Sequence, residues 1–141
     1  MAEGVTAYEL IGGETGVREL VNRFYDNMDR LETVKALRAM HAKSLKGSRE
    51  KLFLFLSGWL GGPDLYVQKY GHPRLRARHM PFSIGIAERD QWMHCMKLAM
   101  EEMEMPAELR ETLSTALGKT ADFMRNRPEH DQIKGIRIRA E

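Results

Sequence analysis

Residues 71–82 of this 141-residue chain read Gly-His-Pro-Arg-Leu-Arg-Ala-Arg-His-Met-Pro-Phe, and a Gly-Gly-Pro break at residues 61–63 precedes them. Proline cannot continue the hydrogen-bond ladder of a helix, so only one or two helical turns fit between Gly71 and Pro81. Longer apolar patterns of helical period lie on both sides of this stretch. The pattern predicts a short basic helix that carries His79 into an otherwise apolar helical protein.

Four longer segments repeat apolar residues at helical spacing and predict the long helices of an all-α domain. They run over residues 14–29, from residue 47 or 48 to residue 60, over residues 87–103, and from Pro106 to about residue 126. Ser48 is a candidate N-cap of the second helix, and the Gly-Gly-Pro break ends that helix. The predicted scaffold is two pairs of long helices with a short element between them.

The composition is that of one globular domain, with 43% hydrophobic residues, 30% charged residues and a net charge of +2. This charge is too small to indicate a nucleic acid or a membrane as partner. No apolar run approaches the ~20 residues that span a bilayer, and the N-terminal residues lack a signal-peptide pattern, so we expect a cytoplasmic protein. The single Cys95 excludes an internal disulfide and fits a reducing compartment. We expect one domain over residues 1–127 and a mobile tail over residues 128–141.

The five histidines differ in their surroundings. His130 lies in the polar tail and His94 on the polar side of its helix, so both are expected at the surface. His72 precedes a proline, which restrains it to an extended turn conformation. His41 ends an apolar stretch and could face an interior pocket. His79, set among apolar residues, is the strongest metal-ligand candidate: one use of such a histidine is to hold a haem iron, and an ordinary core or surface histidine is the alternative.

Motifs of several other chemistries are missing from the sequence. It contains no Gly-rich phosphate loop, metalloprotease motif or zinc-type cysteine pair, so hydrolase and nucleotide chemistry have no anchor. The rival from a different class is a haem-free helical interaction module. It would bind an acidic partner through basic residues of the central stretch and the tail, namely Arg74, Arg76, Arg78, Lys134, Arg137 and Arg139.

Several separate segments together resemble the group II truncated haemoglobins over about residues 8–127. The segments are Gly12-Gly13, Arg23-Phe24-Tyr25, Gly61-Gly62-Pro63, Tyr70 to His79 with Pro81-Phe82, and Glu88-Arg89-Asp90-Gln91-Trp92 with Cys95-Met96. Their order, spacing and residue types coincide with the family pattern. The resemblance implies a two-over-two helical sandwich, which is a shortened globin fold, around a haem b cofactor.

By this resemblance His79 is the proximal iron ligand, and Tyr25, His41 and Trp92 are distal donors of hydrogen bonds to a bound ligand. The other residues implied at the haem are Phe24, Ser48, Leu52, Phe55, Leu56, Tyr66, Lys69, His72, Arg76, Arg78 and Phe82. Leu52, Phe55 and Leu56 would form the apolar wall of the pocket, whereas Phe24 could belong to the wall or to the core. The basic and phenolic members are candidates for the haem propionates. The family often has tyrosine or phenylalanine where this chain has His41, so His41 or Tyr25 could also approach the iron.

The resemblance implies reversible binding of dioxygen and other diatomic ligands, for storage, transport or sensing. The alternative is a redox enzyme that uses the same haem, either for nitric oxide dioxygenation or for peroxidase-like reduction of peroxide. We expect such turnover to need an external reductase, because no reductase domain is fused. The sequence leaves both a monomer and a homodimer open.

Overall fold

A computed structural model describes residues 4–127, which fold into α-helices and one 3-10 turn. The α-helices are α1 (Ala7–Ile11), α2 (Gly13–Arg30), α3 (Lys35–Ala39), α4 (Lys46–Trp59), α5 (Leu65–Tyr70), α6 (Leu75–His79), α7 (Ile86–Glu102) and α8 (Ala107–Phe123). The 3-10 turn, Glu32–Val34, leads into α3. The prediction of an all-α fold is confirmed over this range. The predicted tail, with His130 and the basic residues at 134, 137 and 139, lies outside the described residues.

The long helices occur where the helical spacing predicted them. Helices α2 and α7 begin and end within one residue of the predicted bounds, and α8 stops somewhat short of its predicted end. Helix α4 begins at Lys46, and its N-cap is Leu45, which makes no side-chain capping bond. Ser48 therefore does not cap α4; it lies in the first turn, where its side chain hydrogen-bonds Tyr25.

Three short helices, α1, α3 and α5, were not predicted from the sequence pattern. Each contains only five or six residues, which is too few to repeat an apolar stripe. No helix within residues 4–127 is long and apolar enough to cross a membrane.

Helix α2 is at the centre of the packing and contacts α1, α4 and α7. Its buried apolar stripe comprises Val17, Leu20, Val21, Phe24 and Met28. On α7 the buried residues are Met93, Cys95, Met96, Ala99 and Met100, and α8 adds Leu109, Leu113 and Leu117. Full burial of each large apolar side chain contributes roughly 1.5–3 kcal/mol. This core fixes the long helices that surround the site described below.

The junction between α1 and α2 depends on close backbone packing. The chain turns through Gly12 with a φ of 113°, a left-handed conformation that favours glycine. One helical turn later, a Cβ atom added at Gly16 would lie 2.0 Å from the carbonyl oxygen of Ile11. This distance is far inside van der Waals contact and involves backbone atoms. A side chain at Gly16 would therefore force α1 away from α2.

Replacing Gly16 with alanine should lower the free energy of unfolding by about 1–3 kcal/mol, the usual range for overpacking. Gly47→Ala is the matched control, because a Cβ atom at this helical glycine meets nothing within 4 Å. The control should leave stability unchanged or raise it by up to about 1 kcal/mol, since alanine restricts the unfolded chain. Urea denaturation measures both variants. Equal stability of the two would contradict the close packing of α1 on α2.

Candidate functional site

A cavity of about 560 Å³ lies among the helices, and every helix from α2 to α8 contributes to its wall. The wall includes eleven of the predicted site residues: Tyr25, His41, Ser48, Leu52, Phe55, Leu56, Tyr66, Arg78, His79, Phe82 and Trp92. Most of the remaining wall is apolar and comes from α3, α8 and the segments beside them. Residues that are far apart in the sequence therefore surround one space.

The His79 imidazole belongs to this wall and is fixed by its own helix. Its Nδ1 lies 2.6 Å from the carbonyl oxygen of Leu75, one turn earlier in α6. A carbonyl oxygen only accepts hydrogen bonds, so Nδ1 carries the hydrogen and donates it. The neutral ring then keeps a lone pair on Nε2, which is the form in which imidazole ligates a metal. The sequence did not identify this acceptor, because it is a backbone atom.

His41 lies on the same cavity and repeats this arrangement. Its Nδ1 is 2.9 Å from the carbonyl oxygen of Leu37, so Nδ1–H donates here too, and its ring centroid is 6.0 Å from that of Tyr25. Burial lowers the pKa of His41; the Leu37 bond opposes this shift, while the charges of Arg38 and His79 add to it. The ring is therefore neutral at neutral pH, with its lone pair on Nε2. In this tautomer the ring has no second hydrogen to donate, and the role of His41 toward a bound ligand stays a prediction.

Tyr25 and Trp92 carry the hydrogen-bond donors of this part of the cavity. Burial raises the pKa of the Tyr25 phenol, against the smaller opposing effects of the Arg49 charge and the Ser48 hydrogen bond. The phenol thus keeps its hydrogen at neutral pH. Phe24 is fully buried behind both rings, with its centroid 4.8 Å from that of Tyr25 and 4.9 Å from that of Trp92. Of the two places that the sequence left open for Phe24, it occupies the core: it supports the two donors and does not line the cavity.

Three further predicted haem residues, Lys69, His72 and Arg76, are absent from the cavity wall. Lys69 is exposed, with its Nζ 5.4 Å from the ring centroid of Tyr70. His72 is exposed in a turn, where its Nδ1 accepts the backbone N–H of Arg74 at 3.2 Å. The Arg76 guanidinium donates to two carbonyl oxygens at the end of α8, both at 2.8 Å. Its side chain is therefore committed to α8 instead of the cavity.

Helix α8 supplies a part of the wall that the sequence did not predict. Leu117, Thr120 and Ala121 line the cavity, together with Met124 just beyond the helix. Their spacing predicts an apolar helix face, but spacing alone does not distinguish a face that meets the core from one that meets a cavity.

Two charged residues at the start of α7, Glu88 and Arg89, also line the cavity and were not predicted. The Glu88 carboxylate accepts the N–H of Gly85 at 2.8 Å, and this bond caps α7. The carboxylate also accepts a hydrogen bond from Arg127 at 2.9 Å. Arg89 donates to Asp122 of α8, and this hydrogen bond lowers the pKa of Asp122. The spacing of the glycine and the glutamate is a capping signal that the sequence does offer. These bonds hold the start of α7 against the end of α8 beside the cavity.

Comparison with known proteins identifies the class to which this fold and cavity belong. A family model described as bacterial-like globin matches residues 6–126, and the chain belongs to this family. Membership implies a haem cofactor. Over 122 residues the chain is 40% identical to the group 2 truncated hemoglobin YjbI of Bacillus subtilis (strain 168). The matched region covers 86% of this chain and 89% of that protein.

Solved structures give the same result. A cold-adapted truncated hemoglobin from the Antarctic marine bacterium Pseudoalteromonas haloplanktis TAC125 is 49% identical, with a TM-score of 0.85 over 87% of this chain and 99% of that one. The group II 2-on-2 hemoglobin from the plant pathogen Agrobacterium tumefaciens is 46% identical, with a TM-score of 0.86 over 89% and 98% of the two chains. The predicted resemblance to group II truncated haemoglobins and the two-over-two fold are confirmed.

The side chains of the cavity suit a haem. The Nδ1–H of His79 is bonded within α6, so the neutral ring offers its Nε2 lone pair; the wall is mainly apolar, and the basic residues Lys51 and Arg78 also belong to it. An imidazole lone pair, an apolar enclosure and cations for carboxylates are the three features that an iron porphyrin with propionate groups needs.

Proposed function

We propose that this protein binds dioxygen and other diatomic ligands at a haem b iron ligated by Nε2 of His79. The observation that carries the proposal is the hydrogen bond from Nδ1 of His79 to the carbonyl of Leu75, because it fixes the tautomer that leaves Nε2 available. When bound, the haem would supply the iron that takes up the ligand. The relatives described as haemoglobins support the same assignment.

A non-covalent haem b suits the chain better than a covalently attached haem. The c-type attachment motif uses two cysteines, whereas this chain has only Cys95. The Cys95 side chain is fully buried in the core and does not line the cavity. Burial raises the pKa of Cys95 to about 11, so the thiol stays protonated and unreactive. A buried thiol also fits the reducing cytoplasm that we propose as the protein's location.

On the distal side, Tyr25 and Trp92 would donate hydrogen bonds to the ligand. His41 would have no hydrogen for the ligand, because its Nδ1–H is bonded to the carbonyl of Leu37. A diatomic ligand that draws electron density from iron carries partial negative charge, so O–H and N–H donors directed at it slow its escape. Each such bond is worth about 1.5–3 kcal/mol. The apolar wall strengthens these bonds, because it lowers the local dielectric constant.

The haem propionates would be held by Arg78 and Tyr66. Arg78 lines the cavity, its Nε donates to the carbonyl of Pro73 at 2.9 Å, and its guanidinium lies 5.7 Å from the centroid of the Tyr66 ring. The remaining N–H groups of the guanidinium fork match the two oxygens of a carboxylate. Lys51, which also lines the cavity, offers a second cation. In this proposal Arg78 keeps its predicted role, and Lys51 takes the place of Lys69 and Arg76 as the second basic partner of the propionates.

Haem reconstitution tests the proposed ligand. The wild-type protein should show a Soret band that shifts when the reduced protein takes up carbon monoxide. His79→Ala should bind haem at least about tenfold more weakly. Loss of a group that only orients a metal ligand already weakens metal binding by about 10–100-fold, and loss of the ligand itself should weaken it at least as much. His94→Ala is the control, because His94 is exposed on α7 and does not line the cavity. Absence of a Soret band from the wild type, or normal haem affinity in His79→Ala, would contradict the proposal.

Peroxidase-like reduction of peroxide is the second candidate function, and the tautomer of His41 favours it. Peroxide must lose a proton before its O–O bond breaks, and a neutral imidazole with a lone pair on the cavity can accept that proton. An external reductase would supply the electrons. This activity predicts that His41→Phe lowers peroxide turnover by about 10²-fold or more. Wild-type protein that turns over neither peroxide nor nitric oxide would leave ligand binding as the function.

Dioxygen dissociation tests the distal donors. Tyr25→Phe and Trp92→Phe should each speed dissociation by about ten- to a hundredfold, the rate equivalent of one charge-assisted hydrogen bond. His41→Phe should have a much smaller effect, because the single hydrogen of its neutral ring is bonded to Leu37. Trp59→Phe, which removes the chain's other indole outside the cavity, is the control. Stopped-flow mixing measures the rates, and equal rates in Trp92→Phe and Trp59→Phe would rule out a donor role for Trp92.

A further inference from the structure

Helix α6, which carries His79, has little packing of its own. It contains five residues, none of them buried, and its N-cap residue Arg74 makes no side-chain capping bond. A helix this short is not stable in isolation, because too few hydrogen bonds follow its first turn to offset the conformational entropy lost in forming that turn. The position of His79 must therefore be set by contacts between this segment and the rest of the chain.

Asn126, just beyond the end of α8, provides the densest set of such contacts. Its Nδ2 donates to the carbonyl of His79 at 3.2 Å and to that of Phe82 at 2.7 Å. Its Oδ1 accepts the N–H of Ile84 at 2.9 Å, and its own backbone N–H donates to the carbonyl of Ile84 at 2.9 Å. Both ends of the amide are used, and together they hold the turn that follows His79.

Arg76 ties α6 to the same part of the chain. Its guanidinium donates to the carbonyls of Phe123 and Arg125, both at 2.8 Å. Carbonyls at the end of a helix have no partner within the helix, so they are available for such bonds. Arg76 thus anchors α6 through a side chain remote from His79, whereas Asn126 donates to the backbone carbonyl of His79 itself, which also accepts the N–H of Phe82 at 3.0 Å.

We propose that Asn126 is a positioning residue for His79, which fixes the direction in which Nε2 meets the cavity. The bond to Leu75 fixes the imidazole relative to α6, so a movement of the His79 backbone is transmitted to the ring. This inference rests on the proposed function, in which His79 is the iron ligand. Loss of groups that orient a metal ligand typically weakens metal binding by about 10–100-fold.

An amide is the side chain that this position requires, because it donates and accepts at once. Asn126→Asp is therefore the sharpest variant. It has nearly the same shape and keeps the acceptor for the Ile84 N–H, but it loses the donor to the carbonyls of His79 and Phe82. Asn126→Ala removes both functions of the side chain.

The test uses the haem-loaded protein and three measurements that do not depend on activity. In both variants we expect haem transfer to excess apomyoglobin to be about tenfold faster, at the lower end of the range for orienting groups. The iron–imidazole stretching band in the resonance Raman spectrum of the ferrous protein should shift in both. The Ile84 amide should exchange with solvent faster in Asn126→Ala, and stay protected in Asn126→Asp, which keeps its acceptor.

Arg127→Ala is the matched control. Arg127 joins the same two segments through Ser83 at 3.3 Å and Glu88 at 2.9 Å, and neither partner belongs to α6. Arg127→Ala should leave the iron–imidazole band unchanged, whatever its effect on the melting temperature. An unshifted band and an unchanged haem-transfer rate in both Asn126 variants would overturn the positioning role, and so would an equal shift in Arg127→Ala. A wild-type protein with bound haem and no iron–imidazole band would instead refute the proposed function, and the inference with it.

Discussion

The hydrogen bond between Nδ1 of His79 and the carbonyl of Leu75 is the interaction on which the site depends, because it decides what the ring offers to the cavity. His41 makes the same bond to Leu37, again four residues earlier. Two imidazoles therefore line one cavity with a lone pair on Nε2 in each case. Burial lowers the pKa of His41, and the charges of Arg38 and His79 add to this effect. The hydroxyl of Tyr25 and the indole of Trp92 are hydrogen-bond donors of the same cavity wall.

The same helices contribute to both the core and the cavity wall, and neighbouring residues of one helix belong to one or the other. On α2, Phe24 is fully buried in the core while the next residue, Tyr25, lines the cavity. On α7, Trp92 lines the cavity and the buried Met93 and Met96 belong to the core. Because the core fixes each helix, it also fixes the side chains on the cavity face. Among the helices that line the cavity, the exception is α6, which has no buried residue and is hydrogen-bonded to the end of α8.

The sequence predicted the elements whose pattern is long enough to repeat. Apolar spacing located α2, α4, α7 and α8, whereas α1, α3 and α5 are too short to show a period. For the site, residue types and the family resemblance pointed to Tyr25, His41, Trp92 and His79, and the structure brings all four to one cavity. Backbone acceptors could not be predicted, since any residue supplies a carbonyl. The hydrogen on Nδ1 of His41 and of His79 follows only from the folded structure.

Side chains of the short central segment were the hardest to place. Arg76, Arg78 and Lys69 are alike in charge, and their spacing does not show which of them reaches the cavity. The structure places Arg78 on the wall, commits Arg76 to the end of α8 and leaves Lys69 beside Tyr70. Asn126 has no distinguishing pattern at all, because a lone asparagine after a helix is ordinary. Its partners lie more than forty positions earlier in the chain, so only the fold brings them together.

The proton NMR spectrum of the haem-loaded ferrous protein tests the role of His79 most directly. We predict one strongly shifted resonance from the Nδ1–H of His79, because unpaired electrons of the iron act on that hydrogen through Nε2 and the ring. The resonance should exchange slowly with solvent, since the carbonyl of Leu75 holds the hydrogen. It should disappear in His79→Gly protein supplied with N-methylimidazole, which has no N–H group. A haem-loaded protein without this resonance, or one in which it survives the His79→Gly change, would contradict ligation of the iron by His79.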